Sequence, residues 1–176
     1  MIGLTTGGKG KKAPLEIAIK AARFPILLCT DADCIPESKG WASTMVNDVD
    51  TKYDLKIGIS LPSQASGLLG RLQMFESTRI AQNYIGMAES GYPYMGVGRN
   101  IAFTKSCWEK VGGFQGHMDL ASGDDDLFVQ DVSEAGMRIG TEVRWEGQSH
   151  SVWPHTWSGW MRQMRRHLTT GPRYKM

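Results

Sequence analysis

Ile26-Leu27-Leu28-Cys29-Thr30-Asp31-Ala32-Asp33-Cys34 is a short apolar run that ends in two carboxylates one residue apart. Pro25 and Pro36 bound it, and it is too short for a helix. The stretch predicts a fully buried strand of the parallel-sheet kind. In an open α/β sheet, ligands collect just outside the carboxyl ends of the strands, which is where Asp31 and Asp33 stand. At i and i+2 on an extended backbone, both carboxylates project to one face. Paired hard oxygens suit Mg²⁺ or Mn²⁺, ions that bind through one or two carboxylates plus the phosphates of a substrate. The plain alternative is an acidic turn after a strand, with Asp capping the next helix.

Upstream, Thr5 to Lys12 form a basic Gly/Lys loop. It misses the P-loop pattern, because Gly10 is followed by Lys11 and Lys12 with no hydroxyl. Pro14 suits a first helical turn. Leu15, Ala18, Ile19 and Ala22 then repeat at helical spacing, so a helix is expected over about Ala13 to Arg23. Little precedes it that would make a first strand, and the chain reads as a fragment starting inside a larger α/β domain.

Downstream, Pro36 and Glu37 are expected to start a second helix carrying Trp41, Met45 and Val49. Tyr53 to Ser60 alternates as one strand. Leu68 to Met87 shows an apolar stripe of Leu68, Leu72, Phe75, Ile80, Tyr84 and Met87, which predicts a core-packed helix. Ile101 to Phe103 reads as a short strand, and Ser106 to Val111 as a helix stopped by Gly112-Gly113. In Ser122-Gly123-Asp124-Asp125-Asp126-Leu127, adjacent carboxylates repel and raise at least one pKa unless a cation is near. They also suit a helix N-terminus, where the macrodipole is positive. That helix runs to about Ala135 and a strand covers Met137 to Val143. Trp145 to His155 carries no clear pattern. Thr156 to about Thr169 is a basic helix with Trp157, Trp160, Met161 and Met164. Such a Trp- and Arg-rich helix suits either a membrane surface or one wall of a sugar site.

At 176 residues the chain suits one domain with a real core. Its net charge of +2 is too small to argue for nucleic acid. The distribution says more: both ends are basic and the acids cluster between them, which fits an anionic substrate held through a metal. The three cysteines cannot all pair, and reduced thiols in a cytosolic compartment are the simpler expectation. No apolar run approaches a membrane span.

Three motifs follow in one order: Asp31-Ala32-Asp33, Gly123-Asp124-Asp125-Asp126-Leu127 and Gln163-Met164-Arg165-Arg166-His167. Gly10-Lys11-Lys12-Ala13-Pro14-Leu15, Gly98-Arg99-Asn100-Ile101-Ala102-Phe103 and Val111-Gly112-Gly113-Phe114 accompany them. This order resembles the family 2 glycosyltransferases of the GT-A fold. The resemblance implies an α/β fold, a partial GT-A, Rossmann-like mixed sheet flanked by helices. The chain, 1–176, would be a single catalytic domain fragment lacking the N-terminal nucleotide-binding strands. The implied activity is metal-dependent, inverting transfer of a sugar from a nucleotide-diphosphate sugar to an acceptor hydroxyl. Asp31 and Asp33 take the Asp-x-Asp role and bind Mn²⁺ or Mg²⁺ on the donor diphosphate. Anchored on Leu127, the catalytic base is Asp124; a slip of one residue makes it Asp125. Lys11, Asn100, Gln163, Arg166 and His167 take donor- and acceptor-binding roles. Gly123 stands where the family has Glu, and His167 where it has Trp.

The implied partners are a nucleotide-sugar donor, a saccharide or lipid-linked acceptor and, through the basic C-terminal helix, a membrane surface; nucleic acid is not among them. The place would be the cytoplasm, at the cytoplasmic face of the membrane in the full-length parent, in polysaccharide or glycolipid biosynthesis. A nucleotidyltransferase or phosphotransferase would use the same metal and phosphates. A sugar-nucleotide-binding module without activity is the alternative from another class.

Overall fold

The computed structural model describes residues 11–63, 67–117 and 125–167. Two mixed sheets flanked by helices make a mixed α/β fold. The first sheet has the order β1 (Ile26–Cys29), β5 (Ile101–Thr104), β3 (Leu55–Gly58), β6 (Ile139–Glu142). Its first two pairings are antiparallel and the last is parallel. The second sheet has the order β2 (Cys34–Pro36), β7 (Ser149–Ser151), β4 (Ser60–Pro62), antiparallel then parallel. Three times the chain leaves the first sheet and continues into the second: β1 to β2, β3 to β4, and β6 to β7 through a 3₁₀ turn at Trp145–Gly147. The Asp31–Asp33 segment, Ile59 and Gly147 therefore lie along one seam.

Strand alternation sends side chains to two cores. Leu55, Ile57, Ile101 and Phe103 enter the larger one with Tyr84, Trp108, Phe114, Phe128 and Val129. There Phe103 meets Phe128 edge-on at 5.0 Å, and Phe128 meets Phe114 at 6.1 Å, the geometry that ring quadrupoles favour. Ala102, Ile26 and Leu28 face the opposite way, toward Met45, Val49 and Trp41 of the α2 region (α2, Trp41–Val46). With helices on both faces, β3 is buried along its whole length, Lys56 included. Lys56 Nζ donates to Glu142 Oε2 at 2.9 Å and to the carbonyls of Thr44 and Asn47, at the end of α2. Arg144 closes the far side of Glu142 with Nε and Nη2 at 2.9 and 2.7 Å. Burial alone would push the Glu142 carboxyl up; the Arg144 and Lys56 bonds outweigh it and hold it at about 2.

Several expectations hold. Helices α1 (Lys12–Ala21), α4 (Lys105–Lys110), α5 (Asp126–Glu134) and α6 (Trp157–His167) fall where the periodicity puts them. Thr104 caps α4 by accepting the Cys107 N–H on Oγ1 at 3.0 Å. Gly113 ends the following turn at φ 62°, and a Cβ there would strike the Trp108 ring at 2.4 Å.

Others are corrected. The opening strand is a half-buried edge strand paired antiparallel with β5, not a buried parallel one. Among the described residues it has a neighbour on one side only, so its apolar run is not buried on both faces. Pro36 ends β2 rather than opening a helix, because Cys34–Pro36 pairs with β7; α2 begins only at Trp41. The alternating run Tyr53 to Ser60 splits at Ile59 into β3 and β4, in different sheets. Part of the unassigned 145–155 segment is β7, the middle strand of the second sheet. Helix α3 (Gly67–Glu89) is present and core-packed, with Tyr84 buried and Ile80 against the core as expected, but Gly70, Gln73, Ser77 and Ala81 take the rest of the buried face. Leu68 and Phe75 stand 67% and 69% exposed, with Leu72 and Met87 also outward. The helix packs on β4 and β6, and small side chains on its inner face let it approach.

Candidate functional site

A cavity of ≈ 220 Å³ opens beside the C-terminal end of β1. Its floor is apolar, from Ile101, Phe103 and Phe128, and Lys11, Thr30 and Asp31 stand at its polar side. Two expected site residues thus meet there: Lys11 Nζ donates to Asp31 Oδ1 at 2.7 Å. Both side chains keep solvent access, so the pair adds little to stability and its partners remain exchangeable. Each is placed by local structure, Lys11 as the residue before α1 and Asp31 just past the end of β1.

Asp31 and Asp33 do not lie on extended backbone. Cys34 N donates to Asp31 O at 3.1 Å, closing a reverse turn, so the argument that strand alternation puts both carboxylates on one face is overturned. Asp31 lines the cavity, whereas Asp33 is an exposed turn residue. Among the described residues no three His, Cys, Asp or Glu side chains gather as a metal cage. One or two carboxylates at a turn fit a cation that arrives with phosphate and water ligands, rather than one held by protein alone.

Gly98 also lines the cavity. Its N–H donates to Asp125 Oδ2 at 2.9 Å, while Asp125 Oδ1 accepts the Asp126 N–H at 3.0 Å as the N-cap of α5. A Cβ on Gly98 would stand 3.2 Å from the Asp125 Cβ, so the two backbones approach closely only because that residue is glycine. Asp125 thereby ties the start of α5 to the cavity wall. The capping role foreseen for the acidic cluster falls on this residue. Asp124, the expected base, lies outside the described residues.

Asn100 is fully buried and does not line the cavity. Its Nδ2 donates to Ile59 O at 2.8 Å and Gly147 O at 2.9 Å, and its Oδ1 accepts from Trp41 Nε1 at 3.0 Å. The side chain stitches the seam between the sheets, and a substrate contact would require breaking one of these bonds. Gln163 is half-buried on α6. Arg166 and His167 occupy the last turn of α6, and their side chains lie outside the described residues.

Sequence reasoning missed two further features. A second cavity, of ≈ 340 Å³, lies over β4 and β7 beside Met74. At its edge His150 Nδ1 and Glu37 Oε1 are 2.8 Å apart, joined across the two sequence ends of the second sheet. The other is the Lys56–Glu142–Arg144 cluster. Its one sequence signal is a lysine between two core residues of a strand, Leu55-Lys56-Ile57.

No protein-family model and no curated protein matches the sequence. Among solved structures, the chain is similar to mannosyl-3-phosphoglycerate synthase from Rubrobacter xylanophilus, with a TM-score of 0.45 and 13% identity. The match covers 96% of this chain and 54% of that one, so the chain spans about half the length of that structure's chain.

Proposed function

We propose that this chain carries the catalytic part of a GT-A glycosyltransferase resembling family 2. It moves a sugar from a nucleotide-diphosphate sugar to the hydroxyl of a saccharide or lipid-linked acceptor, with inversion. The observation that carries the reading is the cavity at the end of β1, lined by Lys11, Asp31 and Gly98, the last held by Asp125. The donor diphosphate would lie at Lys11 and the Asp31–Asp33 turn, and the acceptor on the α5 side. At ≈ 220 Å³ the cavity is smaller than those that enclose a whole drug-sized ligand, roughly 300–1,000 Å³, so these residues would hold only part of the donor.

Asp31 and Asp33 would hold Mn²⁺ or Mg²⁺, which supplies charge stabilisation at the leaving diphosphate. Lys11, exchanging its ion pair with Asp31 for a phosphate oxygen, adds a second positive charge there. Both oxygens of Asp125 already accept backbone N–H groups, which favours Asp124 as the general base. Asp124 would take the proton of the attacking hydroxyl as the new glycosidic bond forms and the bond to the diphosphate breaks. A single displacement inverts the anomeric carbon. Arg166 would contact the diphosphate, with Gln163 and His167 toward the acceptor. The exposed, basic side of α6 would lie near a membrane, at its cytoplasmic face. Among the described residues no helix is long and apolar enough to cross one.

Product analysis tests the reading. The chain is incubated with a panel of nucleotide sugars, Mn²⁺ and mixed saccharide acceptors, and the phosphate products are separated by anion exchange. Release of nucleoside diphosphate that depends on acceptor is expected. Release of sugar 1-phosphate instead, by attack of the acceptor at the α-phosphorus, would make the chain a nucleotidyltransferase.

A further inference from the structure

The N-terminal half of α3 leaves an apolar stripe in water. Leu68, Leu72 and Phe75 stand at i, i+4 and i+7, 67%, 36% and 69% exposed. Such spacing puts them on one side of the helix. Arg71 and Arg79, both exposed, flank them. Residues 67–75 hold no acid, and the first, Glu76, has Oε2 buried.

Helix α6 repeats this chemistry. Its exposed residues are Trp157, Ser158, Met161, Arg162 and Arg165, whereas Trp160 turns its Nε1 into the protein. Trp157–His167 contains no acid either. The segment leading into α6 reaches α3: Gln73 Nε2, on the inner side of α3, donates to Pro154 O at 2.9 Å. Pro154 precedes Trp157 by three residues, a reach of at most about 10 Å.

We infer that the outward stripe of the N-terminal half of α3 docks on an anionic lipid bilayer. This extends the membrane contact proposed for α6 and needs nothing of the sugar-transfer reading. Large apolar side chains flanked by arginine, with the partly buried Glu76 the one acid between Arg71 and Arg79, match an interface where acyl chains take the apolar groups and anionic headgroups take the cations. A second copy of the chain fits less well. An isologous contact through α3 would bring Arg71 and Arg79 of both copies together around a desolvated stripe, and like charges there repel.

Flotation with vesicles of phosphatidylcholine, with and without phosphatidylglycerol, tests the inference at low ionic strength, where surface attraction is strongest. The chain should float with the phosphatidylglycerol vesicles and bind the neutral ones at least about tenfold more weakly. The combined variant Leu68→Ser, Leu72→Ser, Phe75→Ser should lose at least about tenfold in binding. Its circular dichroism and Tm should be unchanged, because all three side chains are outside the core. A second variant, Trp157→Ser with Met161→Ser, separates the two helices. If it loses binding while the α3 variant floats like the parent chain, the α6 contact stands and the α3 inference is wrong. No flotation with anionic vesicles overturns both contacts. So does a parent chain that sediments as a dimer without binding lipid, while the α3 variant sediments as a monomer.

Discussion

Asp125 and Asp124 are neighbours with opposite expected behaviour. Asp125 accepts one N–H on each carboxylate oxygen, from Gly98 and Asp126. Asp125→Asn would turn an NH₂ toward one of those donors and lose an acceptor. It should cost roughly 1–3 kcal/mol of stability, read as a lower urea midpoint, with loss of activity following from displacement of the Gly98 wall. Asp124→Asn should leave the urea midpoint and donor binding unchanged and cut turnover by about 10²–10⁴-fold, the usual worth of a general base. A variant pair in which Asp125→Asn is stable and dead while Asp124→Asn is stable and active would move the base to Asp125. Full activity in both would make the cluster a helix cap and nothing more. The sequence presented these residues as a run of like carboxylates. It could not tell them apart, because the partner that distinguishes Asp125 is the backbone of Gly98, 27 residues away. Asn100 misled for the same reason: its motif is legible, but its three bonds go to Trp41, Ile59 and Gly147.

Between elements, the parallel pair β3–β6 encloses the Lys56–Glu142–Arg144 cluster, and this dictates a pH response. The Glu142 carboxyl is held at about 2 in the folded protein, below the ordinary 4.5. A depressed carboxylate pKa stabilises the fold above the ordinary value and loses that contribution as pH falls toward the folded one. Stability in urea should therefore fall between about pH 4.5 and about pH 2, on the order of 3 kcal/mol of it from this group. Glu142→Gln should be less stable near neutral pH and show a flatter acid limb. An unchanged acid limb would mean that the cluster does not carry the response. Most helices were legible in the chain because a 3.6-residue apolar period survives any tertiary context. The buried face of α3 was legible only in part: Ile80 and Tyr84 do meet the core, but Leu68, Leu72, Phe75 and Met87 do not, and small or polar residues such as Gly70, Gln73 and Ser77 are buried in their stead. Nor was β2 legible: three residues after a turn become a strand only because β7, more than a hundred residues on, pairs with them.

At the scale of the molecule, the fold is two mixed sheets joined along a seam that the chain crosses three times. The described part of the candidate site lies where one crossing, the Asp31–Cys34 turn, meets the Gly98 wall. Helices and strands were readable from the apolar runs, while the mixed sheet was implied only by the family resemblance. The seam was not readable, since it consists of a turn at Asp31, a break at Ile59 and a buried amide at Asn100, none of which has a periodic signature. The claim on which the functional account rests is that this seam-edge cavity binds a nucleoside diphosphate through Asp31. Titration calorimetry of the chain with UDP, GDP, CDP and ADP, in Mn²⁺ and in chelator, tests it most directly. The account predicts that at least one of them binds in Mn²⁺. Chelation and Asp31→Asn should each weaken that binding by about tenfold or more, at least about 1.4 kcal/mol. Binding of no nucleoside diphosphate, or binding that neither chelation nor Asp31→Asn changes, would contradict it.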